Sequence, residues 1–368
     1  MLLQPHRGPI DGDHYVPTTP DTSLWGWLPN RDTPPALRVG SGATVTFDAT
    51  SHEGLLEDQG RDPRGYFRAH GIATDEVLTD AVDIAASGLE HDFDDGPHVV
   101  SAPVAVDGAE PGDVLRIDVL SLRLRTGYGV ISNRHGYGAL AGEFPEDSRR
   151  HDDAGIDAPE RYGSRCHVTH VEQQAGRMVG LLPYGDGAVA RFPLAPFLGI
   201  MGVAPDTADL VPSVPPGRHG GNIDVNELQV GSSLYLPVQV PGASFYVGDP
   251  HWAQGDGEVA LTALEAPLRA TVRLTRLPAS EAGTLPDLLA DPLIETATHW
   301  VPTGLHEDLD EAMRRATRHA VAHLERVVGM DRATALAYLS AAADFEVSQV
   351  VDGVKGVHCM IRRADFAA

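Results

Sequence analysis

Apolar positions recur along most of the chain at the alternating period of extended strands. In PALRVGSGATVTFDA (35–49) and VAVDGAEPGDVLRIDVLSL (104–122) an apolar run meets a Gly-containing turn and resumes, with Val45 and Phe47 in the first case and Val114, Ile117 and Val119 in the second. LQVGSSLYLPVQVPGASFYVGD (228–249) repeats the idea loosely. Alternation bounded by Gly, Pro and Asp predicts half-buried strands assembled into β-sandwich or barrel units.

The period lengthens in two places. TDEVLTDAVDIAAS (74–87) predicts a short helix, and from Asp308 onward Leu309, Met313, Ala316, Ala320, Leu324 and Val327 recur at helical spacing up to Gly329. Asp331 is placed to N-cap a second helix over 331–344, and FEVSQVVDGVKGVHCMIRR follows as strand-like sequence with a turn near Gly353 and Gly356. The Gly/His/Pro-rich stretches 88–98 and 132–165 read as long loops, which in compact enzymes are often functional. The expected fold is mainly β, with sandwich or barrel units and a C-terminal α/β element. Its expected parts are an N-terminal β unit (1–130), a central β unit (131–303) and a C-terminal helical hairpin plus strand (304–368).

Composition narrows the function. A formal charge of −24 repels phosphate backbones and anionic lipid headgroups, so neither nucleic acid nor a membrane surface is an expected partner. The most apolar stretch, FPLAPFLGIMGVAP (192–205), is too short and too broken to span a bilayer. The opening residues lack a continuous apolar leader, and the two cysteines, Cys166 and Cys359, give no disulfide framework, so a cytoplasmic location is expected. No Gly-rich phosphate loop precedes a helix, which removes support for a nucleotide cofactor.

The sharpest local feature is GDPHWAQGDGEV (248–259), with Asp249, His251, Asp256 and Glu258 among glycines. Carboxylates this close raise one another's pKa unless a cation or shared proton sits among them. Asp249 and His251, two apart on a strand, face the same way, and the Gly-rich turn can fold Glu258 back towards them. Such a set can hold a divalent metal, Zn²⁺ above all, with Glu258 as general base. The bland reading is a pair of Asx-turns, a solvated Glu258 and a His251 packed beside Trp252. His52, His98, His135 and His358 can complete the set from afar; His98, fixed by a Gly-Pro turn at a strand start, is the best placed. His167 and His170 lack further local ligands, and Cys359, in an apolar run four residues from Lys355, reads as inert more readily than as a nucleophile.

Several of these stretches together resemble the acetamidase/formamidase family: LPNRDTPPALRVGSGATVTFDATSHEG near the start, VAVDGAEPGDVLRIDVL (104–120), GGNIDVNELQVGSSLYLPVQVPGA (220–243), VGDPHWAQGDGEV (247–259) and VSQVVDGVKGVHCMI (347–361). The resemblance implies hydrolysis of small aliphatic amides to a carboxylic acid and ammonia, a β-rich jelly-roll-like fold with additional smaller units, and a homo-oligomer; the expectation of a divalent metal, zinc above all, rests on the His/Asp chemistry of 248–259. The resemblance points to Glu258, Lys355 and Asp224 as catalytic residues. Asn222, Gln254, Trp252 and His358 become candidate substrate contacts, and His98, Asp249 and His251 candidate metal ligands. The chain has Ser101-Ala102-Pro103 where the family pattern reads SGP. Lys355, the only lysine, is expected to reach the acidic cluster. Two other classes stay open: a metal-independent amidase built on Cys, Lys and Glu, and a non-catalytic β-sandwich binding protein.

Overall fold

The computed structural model describes residues 2–146 and 148–366. Two large sheets face each other. The first runs from the edge strand His14–Val16 through Ala43–Ala49, Leu268–Leu277, Val114–Leu124, Ser233–Pro237, Leu293–Glu295, His299–His306 and Lys355–Arg362 to Asp344–Gln349. The second runs from Ala188–Pro193 through Arg177–Tyr184, Arg165–Gln174, Tyr128–Asn133, Leu264–Glu265, Phe245–Ala253 and Phe197–Val203 to Gly220–Asn222, with four short strands attached to its side. The core lies between them: Phe47, Ile117, Leu234 and Val272 from one sheet meet Phe197, Met201, Phe245 and Trp252 from the other. Phe47 and Phe245 pack edge to face across this seam at 5.9 Å. The molecule is therefore a mainly β sandwich, as the alternation predicts.

The alternation understates the burial. In Ala43–Ala49 the polar Thr46 and Asp48 are as buried as Val45 and Phe47. They are tolerated because each is paired: Thr46 Oγ1 lies 2.8 Å from Thr271 Oγ1, and Asp48 accepts from Arg269 Nε at 2.6 Å.

The C-terminal element is an αα unit on a hairpin. Helix Leu309–His323 packs on the strands His299–His306 and Lys355–Arg362, and Asp331 caps helix Arg332–Ala342 by accepting from the amides of Ala333 and Thr334. Of the expected helical series, Ala316, Ala320 and Leu324 are buried, whereas Met313 and Val327 are exposed and Ala312 takes the buried place beside Ala316. The reason is a close approach: a Cβ on Gly304 of the underlying strand would collide with the backbone at Ala312 and Ala316, so only alanines fit that face. The hairpin turn between Asp344–Gln349 and Lys355–Arg362 docks on the 254–258 loop, with Gly257 N donating to Ser348 O and Val350 N donating to Gly257 O. This contact carries Asp352 into the centre of the molecule.

Candidate active site

Strand Phe245–Ala253 forms the floor of the site. Asp249 and His251 turn into the site, whereas Trp252 joins Phe245 and Val247 in the intersheet core and donates from Nε1 to Pro267 O. Leu264–Glu265 runs antiparallel beside it with Glu265 opposite His251, so Glu265 Oε1 lies 3.0 Å from His251 Nε2. The strand Val99–Ser101 pairs at Gly248 and delivers His98, whose Nε2 lies 3.6 Å from Asp249 Oδ2. His52, from the loop after Ala43–Ala49, brings Nδ1 to 3.5 Å from Asp249 Oδ1. Asp224 and Asn222 arrive from the end of Gly220–Asn222, Glu258 from the Gly-rich turn, and Asp352 from the C-terminal hairpin.

Three of these carboxylate residues share a backbone signature. Asp224, Asp249 and Glu258 each have φ 47°, the left-handed region that L-residues seldom occupy. Such conformations cost on the order of 1 kcal/mol or more each and persist where the surrounding fold over-determines them. Here each turns a carboxylate inward, Asp224 just beyond the strand Gly220–Asn222, Asp249 in mid-strand and Glu258 in the Gly-rich turn.

The result is a buried group of five carboxylates and three imidazoles: Asp224, Asp249, Glu258, Glu265, Asp352, His52, His98 and His251. Asp249 is shared by two potential ligand sets, one with His52 and His98, the other with Asp224 and His251. The expected trio of His98, Asp249 and His251 thus does not close on one point; Asp249 stands between the two histidines.

The electrostatics follow from the crowding. Burial, reinforced by Asp224, holds Glu258 well above the usual carboxylate range, and burial with the Asp224 and Glu258 charges does the same to Asp352. Glu265 is pushed up to about 7 by burial and Asp249. Asp249 is the exception: although burial opposes its charge, His251 and His98 hold it well below the carboxylate range. His52 is burdened by burial yet pushed up to about 10 by Asp249 and Glu53, whereas burial takes His98 down to about 4.

The same residues fit a divalent cation. Both carboxylate oxygens of Asp224, Oδ1 of Asp249 and Oε2 of Glu265 are buried without a hydrogen-bond partner, an expensive state for acceptors that a cation would relieve. An outer layer fixes the group. Glu53 lies 3.4 Å from His52 Nε2 and is itself held by Ser132 and by Arg134, which also pairs with Asp58 at 2.7 Å. His98 Nδ1 is 2.9 Å from Ser213 Oγ.

Above the group opens a cavity of about 370 Å³, whose lining includes His52, His98, Asn222, Asp249, Glu258, Glu265 and Asp352. Asp224 and His251 lie directly behind these. Gln254 does not face the cavity; its side chain bridges His251 Nδ1 to the backbone carbonyls of Asp224 and Ser348.

The remaining expectations require correction. Trp252 is core: it joins Phe245 and Val247 of the same strand in the intersheet cluster, the alternation being broken at Asp249, φ 47°. Lys355 does not reach the cluster: the turn at Gly353, φ 74°, reverses the chain, Asp352 enters the site and the Lys355 ammonium donates to Glu307 O on the outside. His358 is buried but faces Ser348 at 2.8 Å and Glu346 at 3.1 Å, away from the cavity. His135, His167 and His170 are exposed.

Glu265 and Asp352 were not singled out by the sequence. Glu265 is a lone acid in the apolar run LTALEAPL, a signal of a buried, partnered carboxylate, and Asp352 sits inside the VSQVVDGVKGVH stretch.

The comparisons agree with this architecture. The model of the Acetamidase/Formamidase family matches residues 74–211 and 208–282. A formamidase from Methylophilus methylotrophus is 32% identical over 197 residues, 44% of this chain and 47% of that protein. An acetamidase from Mycolicibacterium smegmatis is 29% identical over 199 residues, 44% of this chain and 49% of that protein. The matched part thus spans about half the length of these relatives. The crystal structure of an acetamidase from Bacillus halodurans superposes with a TM-score of 0.69 at 24% identity, covering 95% of this chain and 98% of that one, and so shares the fold. With the family model matching more than half of its length, the chain belongs to the acetamidase/formamidase family.

Proposed function

We propose that this chain hydrolyses linear primary amides, of which formamide and acetamide are the smallest, to the carboxylic acid and ammonia. The observation that carries the reading is the convergence of buried carboxylates and imidazoles on the floor of one enclosed cavity, in a member of this family. Asp249, with His98 and His52 on one side and His251 and Asp224 on the other, would hold a divalent ion, and the imidazole and carboxylate donors suit zinc. When bound, such an ion polarises a carbonyl and lowers the pKa of water to about 7.

The chain's own residues do the rest. Asn222, whose Oδ1 is buried and unpartnered, presents its carboxamide to the amide group of the substrate. Glu258, held above the usual carboxylate range by burial and Asp224, takes a proton from the attacking water and returns it to the departing nitrogen. The water oxygen bonds to the carbonyl carbon, the C–N bond breaks, and nitrogen leaves as ammonia.

The covalent alternative finds no support. Burial raises the Cys359 thiol within the C-terminal cluster, and Lys355 is engaged outside the cavity. A passive binding module would have no reason to gather eight ionisable side chains at one point.

Metal analysis of the purified protein together with an ammonia-release assay tests the reading. Asp249→Ala and His251→Ala are expected to lose both metal and turnover while keeping the wild-type circular dichroism. Wild-type metal content and rate in either variant would refute the site.

A further inference from the structure

The cavity has two chemical zones. The clustered carboxylates, imidazoles and Asn222 lie at the floor, whereas Leu56, Phe93, Tyr137, Val214, Leu261 and Val351 contribute apolar surface to the walls, beside the acids Glu57, Asp94 and Asp95. We propose that the preferred substrate is a neutral primary amide bearing an apolar substituent about the size of a benzene ring, seated against these walls with its carboxamide on the floor. This rests on the amide-hydrolase reading and adds the class of substrate.

Size is the first argument. A cavity of about 370 Å³ has the volume of about twelve waters, and acetamide replaces about two or three of them. A small amide would leave the apolar wall wet, losing the burial that the wall can supply. The volume falls instead in the range of sites that enclose larger organic ligands.

Charge is the second. Glu57, Asp94 and Asp95 also line the cavity, and its one guanidinium, Arg134, is committed to Asp58 and Glu53. An anionic substituent against these walls would meet acids, and the guanidinium beside it is already paired, so the group that fits there is neutral.

Rigidity is the third. The 91–97 loop is pinned rather than draped: the His91 ring stacks on Trp25 at 4.3 Å and its nitrogens lie 3.0 Å from Glu57 Oε1 and Gly96 O, while Trp25 Nε1 donates to Pro97 O. On the opposite side Leu261 is held at φ 109°, a conformation an L side chain rarely adopts, fixed by its amide donating to Glu258 O. A preformed apolar wall binds without a large ordering cost.

The experiment compares acetamide, phenylacetamide and the anionic malonamate, by ammonia release and by calorimetric binding to the purified protein. Burying a ring is worth about tenfold or more in affinity. Phenylacetamide is therefore expected to show a dissociation constant at least tenfold below that of acetamide, kcat/KM at least tenfold above it, and malonamate the weakest binding. Val214→Asp and Phe93→Ala should each narrow the phenylacetamide-to-acetamide ratio by fivefold or more. Turnover of acetamide with equal or weaker binding of phenylacetamide, or a preference for malonamate, would overturn the inference and leave amide hydrolysis standing. Tight, Val214-dependent binding of phenylacetamide without ammonia release from any amide would uphold the wall and overturn the hydrolase reading.

Discussion

The carboxamide of Gln254 fixes which nitrogen of His251 carries a proton. Gln254 Nε2 donates to two backbone carbonyls, Asp224 O at 2.9 Å and Ser348 O at 3.1 Å, so its Oε1 is the atom turned to His251 Nδ1 at 3.0 Å. An amide oxygen only accepts, which makes Nδ1 the protonated nitrogen and leaves Nε2 directed at Asp249 and Glu265. Gln254 is thus a positioning residue for the site rather than a substrate contact.

Gln254→Glu tests this relationship with almost no change of shape. A carboxylate still accepts from Nδ1 but cannot donate to either carbonyl, so it repels Asp224 O and Ser348 O and leaves both without that donor. Loss of metal affinity by 10-fold or more, as typical for an outer-layer partner, is expected with a lowered thermal midpoint. Gln254→Glu with unaltered metal affinity would show that His251 needs no such orientation.

Glu258 separates a base from a ligand. It belongs to two of the potential ligand groups, with His251 and Glu265 and with Asp224 and Asp352, yet it also lines the open cavity. If it moves protons, Glu258→Gln keeps the metal and lowers kcat by about 10² or more. Parallel loss of metal and rate would reassign it as a ligand.

How much of this was legible in the sequence depends on how locally each residue is specified. Asp249, His251 and Glu258 announced themselves because they share one short Gly-rich stretch, and strand parity put the first two on one face. Trp252 is excluded from the cavity because the strand's alternation breaks at Asp249, φ 47°, so that Phe245, Val247 and Trp252 all enter the intersheet core, which no local pattern foretells. Asp352 and Lys355 are three residues apart in a recognisable segment, but only the φ 74° turn at Gly353 decides which of them enters. Glu265 reaches His251 through the register of two strands, a long-range property that no local pattern encodes. The helix stripe missed at Met313 for a related reason: Met313 and Ala312 both fit a helical period, and it is the close approach of Gly304 on a distant strand to Ala312 and Ala316 that turns Ala312 inward.

Gly199 supports the floor by having no side chain. It lies on Phe197–Val203 beneath the site, and a Cβ there would meet Asp224 Oδ1, with Asp249 Oδ2 and His251 Cε1 each at 2.9 Å. Gly199→Ala should displace all three groups and cut kcat/KM by tenfold or more, since sub-ångström misplacement of reacting groups is costly. Gly40, whose Cβ position has nothing within 4 Å, provides the matched control. Equal activity of the two alanine variants would mean that the floor can shift without penalty.

The last prediction concerns stability rather than chemistry. His323 closes helix Leu309–His323, is buried with its ring 5.0 Å from that of Trp300, and has no hydrogen-bond partner on either nitrogen. Burial pushes its pKa down to about 4 from 6.5, so it is neutral in the folded protein at neutral pH. Between those values the unfolded chain binds the extra proton. The contribution is therefore present in full above about pH 6.5, is lost as pH falls towards about 4, and changes no further below that, to a total of about 3 kcal/mol. His219, also lowered to about 4 by burial, titrates in the same window, so the wild-type curve alone does not isolate His323. His323→Phe keeps an aromatic ring beside Trp300 and removes the titration. Urea unfolding at pH 7.5 and pH 4.5 should show a smaller acid loss in the variant than in the wild type. Identical losses in the two proteins would mean that protonated His323 finds a partner or water on opening of the helix end, and that the helix–sheet contact yields locally before the fold does.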